Sequence, residues 1–377
     1  MSKENLLIVA DSERDANMLY AVRMFVPDPF IYLKLDGACH VVLSDLEIDR
    51  AKKCARHCVV HSLSDYQARL KKTGVKRPGL AHVICAILKE RRTKKISVPP
   101  NFPHGLARQL RDLNVKVKLW KNGESLPARE LKTPEEVKKI SAALMMAEVG
   151  LSEGIQALKR AKVGRNCRLI YNNSPLTSER LRAIIDTAII QAGGFVNRTI
   201  VSCGDQACDP HEHGYGPLKA NVPIILDVFP RSQKTGYCGD ITRTVVKGRA
   251  PEPVRKMYHT VAQAQDLVFK DLCDGASGRQ IHEKVSKYFE SQGFKTGKEN
   301  GRMQGFFHGT GHGVGLEIHE SPRISKTSTD KLQAGHVVTV EPGLYYLGVG
   351  GVRLEDMAYL TRKAPKNLTK FEKVLEV

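Results

Sequence analysis

The longest amphipathic pattern in the chain begins at Thr133. Val137, Ile140, Leu144, Ala147, Leu151, Ile155 and Leu158 follow at spacings of three and four, which places them on one face of a helix. Its start is well marked: Thr133 can cap, Pro134 suits the first turn and Glu136 completes a capping box. A second helix is predicted from about Ser178 to Ala192, with Leu181, Ile184, Ile185 and Ile189 on one face and Gly193 as its stop. Strand-like runs follow at 198–202, 223–228 and 239–246. The order then recurs, with helices over 253–272 and 277–292 and apolar runs around 308–318, 337–346 and 351–360. Two helices and then strands, twice over, predict a duplicated α+β architecture across 134–377.

The region before Thr133 has a different rhythm. Two β-rich runs, 30–36 and 39–44, flank Asp36-Gly37, a hairpin turn signal. Helical stretches are expected from about Leu46, around 83–88 and over 106–113, with strands at 96–98 and 115–120. Strands alternating with helices predict a small α/β domain over 1–128, ending in a linker from Leu126 to Lys132. Cys54, His57, Cys58 and His61 fall in a basic stretch read as helical, where ordinary packing is expected rather than a metal knuckle.

A length of 377 residues fits two domains. The apolar run Leu6–Ala10 is too short for a secretory leader, and Glu4, Asp11 and Glu13 flank it. No run approaches the roughly 20 apolar residues of a membrane span. The nine cysteines are scattered, odd in number and without Cys-x-x-Cys, which fits reduced thiols and a cytoplasmic protein. The net charge is +19, and residues 51–125 hold 18 Lys and Arg against 4 Asp and Glu. Few aromatics are interleaved there, so a solvated basic face is expected rather than a nucleic-acid surface.

Candidate chemistry lies in the second region. Phe307 to Glu320 carries His308, His312 and His319 among four glycines, combining imidazoles near neutral pKa with backbone that can approach a ligand closely. Acidic residues end or interrupt apolar strands at Asp227, Asp240, Glu341 and Glu355. Burying such groups is costly unless they are paired or hold a cation. Four carboxylates and one histidine form a hard, oxygen-rich donor set, which suits a pair of divalent ions such as Mn²⁺ better than a thiolate-type zinc site. Two such ions activate water and polarise a carbonyl, so hydrolysis is the implied reaction.

The motifs His308-Gly-Thr-Gly-His312-Gly-Val-Gly, Asp240-Ile-Thr-Arg-Thr, Val340-Glu-Pro-Gly and Val352-Arg-Leu-Glu-Asp resemble those of the pita-bread metallopeptidases. That family includes methionine aminopeptidase, aminopeptidase P, prolidase and creatinase. The α/β region resembles the amino-terminal domain of the aminopeptidase P, prolidase and creatinase branch. Methionine aminopeptidases usually lack that domain. The resemblance implies that Asp227, Asp240, His312, Glu341 and Glu355 ligate two metals, with Mn²⁺ favoured and Co²⁺ or Zn²⁺ as alternatives. It implies Glu341 as general base, His211, His308 and His319 on the substrate side, and Arg353 supporting the last glutamate; His213 stands as an alternative to His211. Thr242 would hold Asp240 in place. The implied activity is cleavage of Xaa-Pro bonds at the amino termini of small peptides, by water held between the metals, in a homodimer. A non-catalytic peptide-binding module and a methionine aminopeptidase are the other readings; relatives of the first kind tend to lose ligands, and none is lost here. The segment from Asp227 to Asp240 is longer than the family usually shows, and Arg231 and Lys234 within it are expected near the rim of the site.

Overall fold

The computed structural model describes residues 5–120 and 125–377. The first four residues, with the Glu4 that flanks the apolar run, and residues 121–124, at the end of the predicted α/β domain, lie outside the described residues. The chain divides into two compact units, Met1–Arg129 and Glu130–Val377.

The first unit is built on a six-stranded mixed sheet. In spatial order its strands are Cys58–Ser62, Ala38–Leu43, Phe30–Leu35, Leu6–Ala10, Lys95–Val98 and Lys116–Leu119. Phe30–Leu35 and Ala38–Leu43 form the expected hairpin, and Asp36 and Gly37 both take positive φ, as a tight turn matching strand twist requires. Leu33, Val42, Ile84 and Ile96 fill one face; Ile8, Tyr32, Val41 and Trp120 fill the other. One sequence expectation is corrected here. Cys58 to His61 is strand, not helix: the preceding helix stops at Cys54, and the run pairs in parallel with Ala38–Leu43. The helix Leu63–Lys72 was also not anticipated.

The second unit repeats its plan. The helix Pro134–Arg160 opens with the predicted capping box between Thr133 and Glu136. It packs with the helix Ser178–Gln191, whose Leu181, Ile185 and Ile189 are buried. A three-stranded antiparallel sheet follows, ordered Ile200–Cys203, Ile224–Val228, Ile241–Val245. Then come the helices Glu252–Asp271 and Gly278–Ser291. They share a core with a five-stranded sheet ordered Glu320–Ile324, Gly311–Gly313, Val337–Val340, Asp356–Tyr359, Lys366–Asn367.

Two predicted long strands are each broken in two. The run 337–346 becomes Val337–Val340 and Gly343–Tyr346, and the run 351–360 becomes Gly350–Arg353 and Asp356–Tyr359. Glu341 lies in the first gap and Glu355 in the second. The expected strand over 308–318 is only Gly311–Gly313, and the rest is loop. No helix among the described residues is long and apolar enough to cross a membrane.

His336, just before Val337–Val340, is 3% exposed, and its Nδ1 accepts the Gln333 N–H at 3.0 Å. Burial, with the Lys132 cation assisting, holds its pKa down to about 4. An unfolded histidine titrates near 6.5. Between those values the unfolded chain binds more protons, so stability falls as pH drops from about 6.5 to about 4. Thermal melts across this window should show the fall, and the His336→Gln variant should show a shallower one.

Candidate active site

Strand pairing sets the positions of the acidic residues. Asp227 lies within Ile224–Val228 and is paired with Thr242 across the ladder. Asp240 enters immediately before Ile241–Val245. The Glu355 N–H donates to the Thr242 carbonyl at 3.0 Å, which brings the broken strand of the second sheet against the first. His312 sits on Gly311–Gly313. A Cβ at Gly311 would lie 2.0 Å from the Thr339 carbonyl oxygen, and one at Gly313 would lie 2.2 Å from that of Ser321. Only glycine lets backbone come that close on both sides of the histidine. The Glu341 N–H donates to Thr310 O at 2.8 Å, which anchors the gap between its two strands.

Asp227, Asp240, His312, Glu341 and Glu355 line one cavity of about 750 Å³. His211, His308, His319 and Arg353 line it too, as do the apolar Ile200, Phe229, Phe307 and Ile318. His213 is not part of the lining; its backbone carbonyl receives the Val201 N–H instead. Arg231 and Lys234 also fall outside the lining, against the expectation from sequence. Arg231 pairs with Phe195 across a short ladder, and its Nε donates to Gly236 O. Phe229 is the residue of this hairpin that faces the cavity.

The electrostatics are those of crowded anions. Burial first, then the charges of Glu355, Asp227 and Glu341, raise the pKa of Asp240 well above its ordinary value. Burial and the neighbouring Glu341 and Asp227 raise Glu355 likewise, and burial lifts Glu341 to about 7. Burial pushes His312 down to about 3, so the ring is neutral. Its Nδ1 is 3.1 Å from Gly313 O; a carbonyl can only accept, so Nδ1 carries the hydrogen. The lone pair on Nε2 then faces Glu341 Oε1 at 3.3 Å and Asp240 Oδ2 at 3.9 Å. Acceptor against acceptor is unfavourable unless a cation, or a proton on one of the raised carboxyls, lies between them. Donor atoms of Asp240, His312 and Glu355 all lie within 4.8 Å of one another, and Asp227 Oδ1 is buried with no hydrogen-bond partner. The donor set fits hard divalent ions.

A second chain of contacts braces the centre from behind. Arg353 Nη2 donates to Asp227 Oδ2 at 2.6 Å and Nη1 to the Tyr345 hydroxyl oxygen at 2.9 Å. His308 Nδ1 donates to Gly309 O, so its Nε2 accepts the Tyr345 hydroxyl at 2.8 Å. Both His308 nitrogens are therefore engaged within the protein. His211 and His319 are exposed towards the cavity, and the His319 ring stands edge-on to His312 with centroids 4.4 Å apart. Thr242 Oγ1 donates to Glu355 Oε2 at 2.7 Å rather than to Asp240, contrary to expectation. Sequence reasoning missed Tyr345. Its only signal was the alternation that put it on the buried side of a strand.

A cavity of peptide size, walled on one side by carboxylates around an imidazole lone pair, has the donor set of a metal centre. Comparison with known proteins narrows the class. An uncharacterised peptidase of Staphylococcus aureus is 30% identical over 250 residues, 65% of this chain and 64% of that protein. An Xaa-Pro dipeptidase of Pyrococcus horikoshii is 26% identical over 285 residues, 75% of each. The solved structure of an Xaa-Pro dipeptidase from Bacillus anthracis superposes with a TM-score of 0.82 at 21% identity, covering 99% of this chain and 95% of that one. This likeness shows the fold expected from the sequence, α/β followed by the duplicated pita-bread arrangement. Residues 138–362 match metallopeptidase family M24, and the chain belongs to that family.

Proposed function

We propose that this protein is an Xaa-Pro peptidase that hydrolyses the bond between an amino-terminal residue and a following proline in small peptides. The observation that carries the reading is the gathering of four carboxylates and His312 along one peptide-sized cavity, with Asp240 and Glu341 facing His312 Nε2 and Glu355 in the same cluster. The substrate class named for the Pyrococcus and Bacillus relatives supports it. Residues 1–128 are assigned as the creatinase-type amino-terminal domain and 134–377 as the catalytic domain. Asp227, Asp240, His312, Glu341 and Glu355 would hold two divalent ions, with manganese favoured by their oxygen-rich chemistry. Bound there, the ions would acidify water and polarise the scissile carbonyl.

The side chains divide the remaining work. Glu341, with its side chain 18% exposed, is more open to the cavity than Asp240 or His312. It is assigned to take a proton from the attacking water and deliver it to the departing proline nitrogen. His211 and His319 are the imidazoles free to orient substrate and to steady the carbonyl oxygen as charge builds on it. Arg353, Tyr345 and His308 hold Asp227 in place. Proline has no N–H, so its ring is read by shape; Ile200, Phe229, Phe307 and Ile318 provide apolar walls for it. All nine cysteines are unpaired, which accords with a cytoplasmic protein, and family resemblance favours a homodimer.

The test is hydrolysis of an Xaa-Pro dipeptide and an Xaa-Pro-Yaa tripeptide by enzyme stripped with chelator and reloaded with Mn²⁺. Metal-dependent cleavage supports the reading, and the preferred length separates dipeptidase from aminopeptidase. Two bound ions with no cleavage of either peptide would overturn the substrate assignment; no metal binding would overturn the catalytic one. The Thr242→Val variant should bind metal about 10–100-fold more weakly by calorimetry, because Glu355 loses the donor that orients it.

A further inference from the structure

The loop from Gly313 to His319 is pinned by a buried ion pair whose two members are not among the metal-ligand candidates, although Glu320 pairs across the ladder with Gly313, next to His312. Glu320 is 4% exposed and Lys132 is 5% exposed. Lys132 Nζ donates to Glu320 Oε2 at 2.6 Å. The other carboxylate oxygen, Oε1, accepts the backbone N–H groups of Leu316 and Glu317 at 3.0 and 3.1 Å. The carboxylate lies so close to the loop that a Cβ at Gly315 would be 2.5 Å from Oε2. Gly315 O in turn accepts the Cys238 N–H at 2.8 Å, two residues before Asp240. At its other end, the Lys132 N–H donates to Gly335 O, in the segment that leads into Val337–Val340 and Glu341. One lysine therefore ties the start of the helix Pro134–Arg160, the approach to Glu341 and the loop carrying His319.

A buried ion pair is a poor source of net stability, because desolvation offsets much of the attraction. What the pair supplies is a single placement for a carboxylate that must meet two backbone N–H groups at once. We infer that Lys132, through Glu320, is a positioning residue that sets the orientation of the His319 ring beside His312. The kinetic part of this inference rests on the peptidase reading above.

The test uses full-length enzyme labelled with ¹⁵N-histidine and loaded with diamagnetic Zn²⁺ for the spectra, because Mn²⁺ would broaden rings this near the site, and with Mn²⁺ for the kinetics. The His319 ring resonances are assigned by their loss in the His319→Ala variant. In Lys132→Met and Glu320→Gln the His319 resonances should shift or broaden, with metal content unchanged. kcat/KM on an Xaa-Pro peptide should fall about 10-fold or more through kcat. That fall should vanish when Lys132→Met is made in the His319→Ala background. The combined Lys132→Met/Glu320→Gln variant leaves no orphan buried charge and keeps the measurement readable where a single variant does not fold; it should show the same shift. Wild-type His319 resonances in the folded variants would overturn the inference, as would an equal kinetic loss in both backgrounds. If the wild type cleaves no Xaa-Pro peptide, the peptidase reading fails, while the resonances still decide the role of the pair.

Discussion

Replacing Glu341 with glutamine should lower kcat on an Xaa-Pro peptide by about 10³-fold, the scale of a lost general base. The same change should make the metal-free protein more stable at neutral pH. The side chain keeps its shape, and the anchoring bond from the Glu341 N–H to Thr310 O involves only backbone. What is lost is one of four carboxylates crowded into a buried site. In the metal-free protein, burial lifts Glu341 to about 7, above the ordinary glutamate value of about 4.3. Between those values the folded state binds more protons than the unfolded chain, so stability falls as pH rises. Glutamine removes that term. Denaturant melts of the two metal-free proteins should coincide below about pH 4 and separate towards pH 8, with the variant the more stable. Activity and stability would then move in opposite directions, as they do where a site is built for function rather than for folding. Equal or lower stability of the variant at pH 8 would count against the crowded-anion account.

The largest loss of stability is expected at Arg243, which is 1% exposed. Its Nη2 donates to Asp356 Oδ1 at 2.8 Å and to Phe371 O at 2.6 Å. Nη1 donates to Thr242 O and Glu355 O, and Nε donates to Glu372 O. Arg243→Met would leave a buried carboxylate with weaker compensation and several carbonyls without donors, a loss of about 3–5 kcal/mol. Urea melts of the metal-loaded protein measure it. Limited proteolysis should show the segment after Lys370 cut first, because Phe371 and Glu372 lose their anchor. A loss below about 1 kcal/mol would place Arg243 among ordinary surface-like contacts.

The helices of the second unit were readable because their caps and apolar faces are local. Thr133, Glu136 and the stripe from Ile140 to Leu158 carry the start and the buried face without reference to the rest of the chain. The ligand-type residues were readable for a different reason: an acid in an apolar strand is costly wherever the strand ends up. The strand breaks at Glu341 and Glu355 were not. Apolar residues continue on both sides, and periodicity does not say that the backbone changes sheets there. Cys58 to His61 was misread because its i,i+4 pattern is local, whereas its pairing with Ala38–Leu43 is set by the sheet. In the chain of contacts from Asp227 through Arg353 and Tyr345 to His308, the two middle residues share one hairpin, but Asp227 lies 126 residues from Arg353 and His308 lies 37 from Tyr345, and only the fold brings them together.

The hairpin that joins the two aspartates has a consequence for how such an enzyme can diversify. Asp227 opposite Thr242 and Val228 opposite Ile241 lock the register below the turn. The tip of the turn, residues 233–236, can therefore lengthen or change while both aspartates stay where the ladder holds them; Arg231 and Cys238 on either side are tied to Phe195 and Gly315. Phe229 at the foot of that turn already faces the cavity. The hairpin is in effect a modular part: its tip can be exchanged between relatives, or varied in a library, while the acidic floor is left untouched, and Phe229 is the position in it whose exchange would reshape the cavity wall.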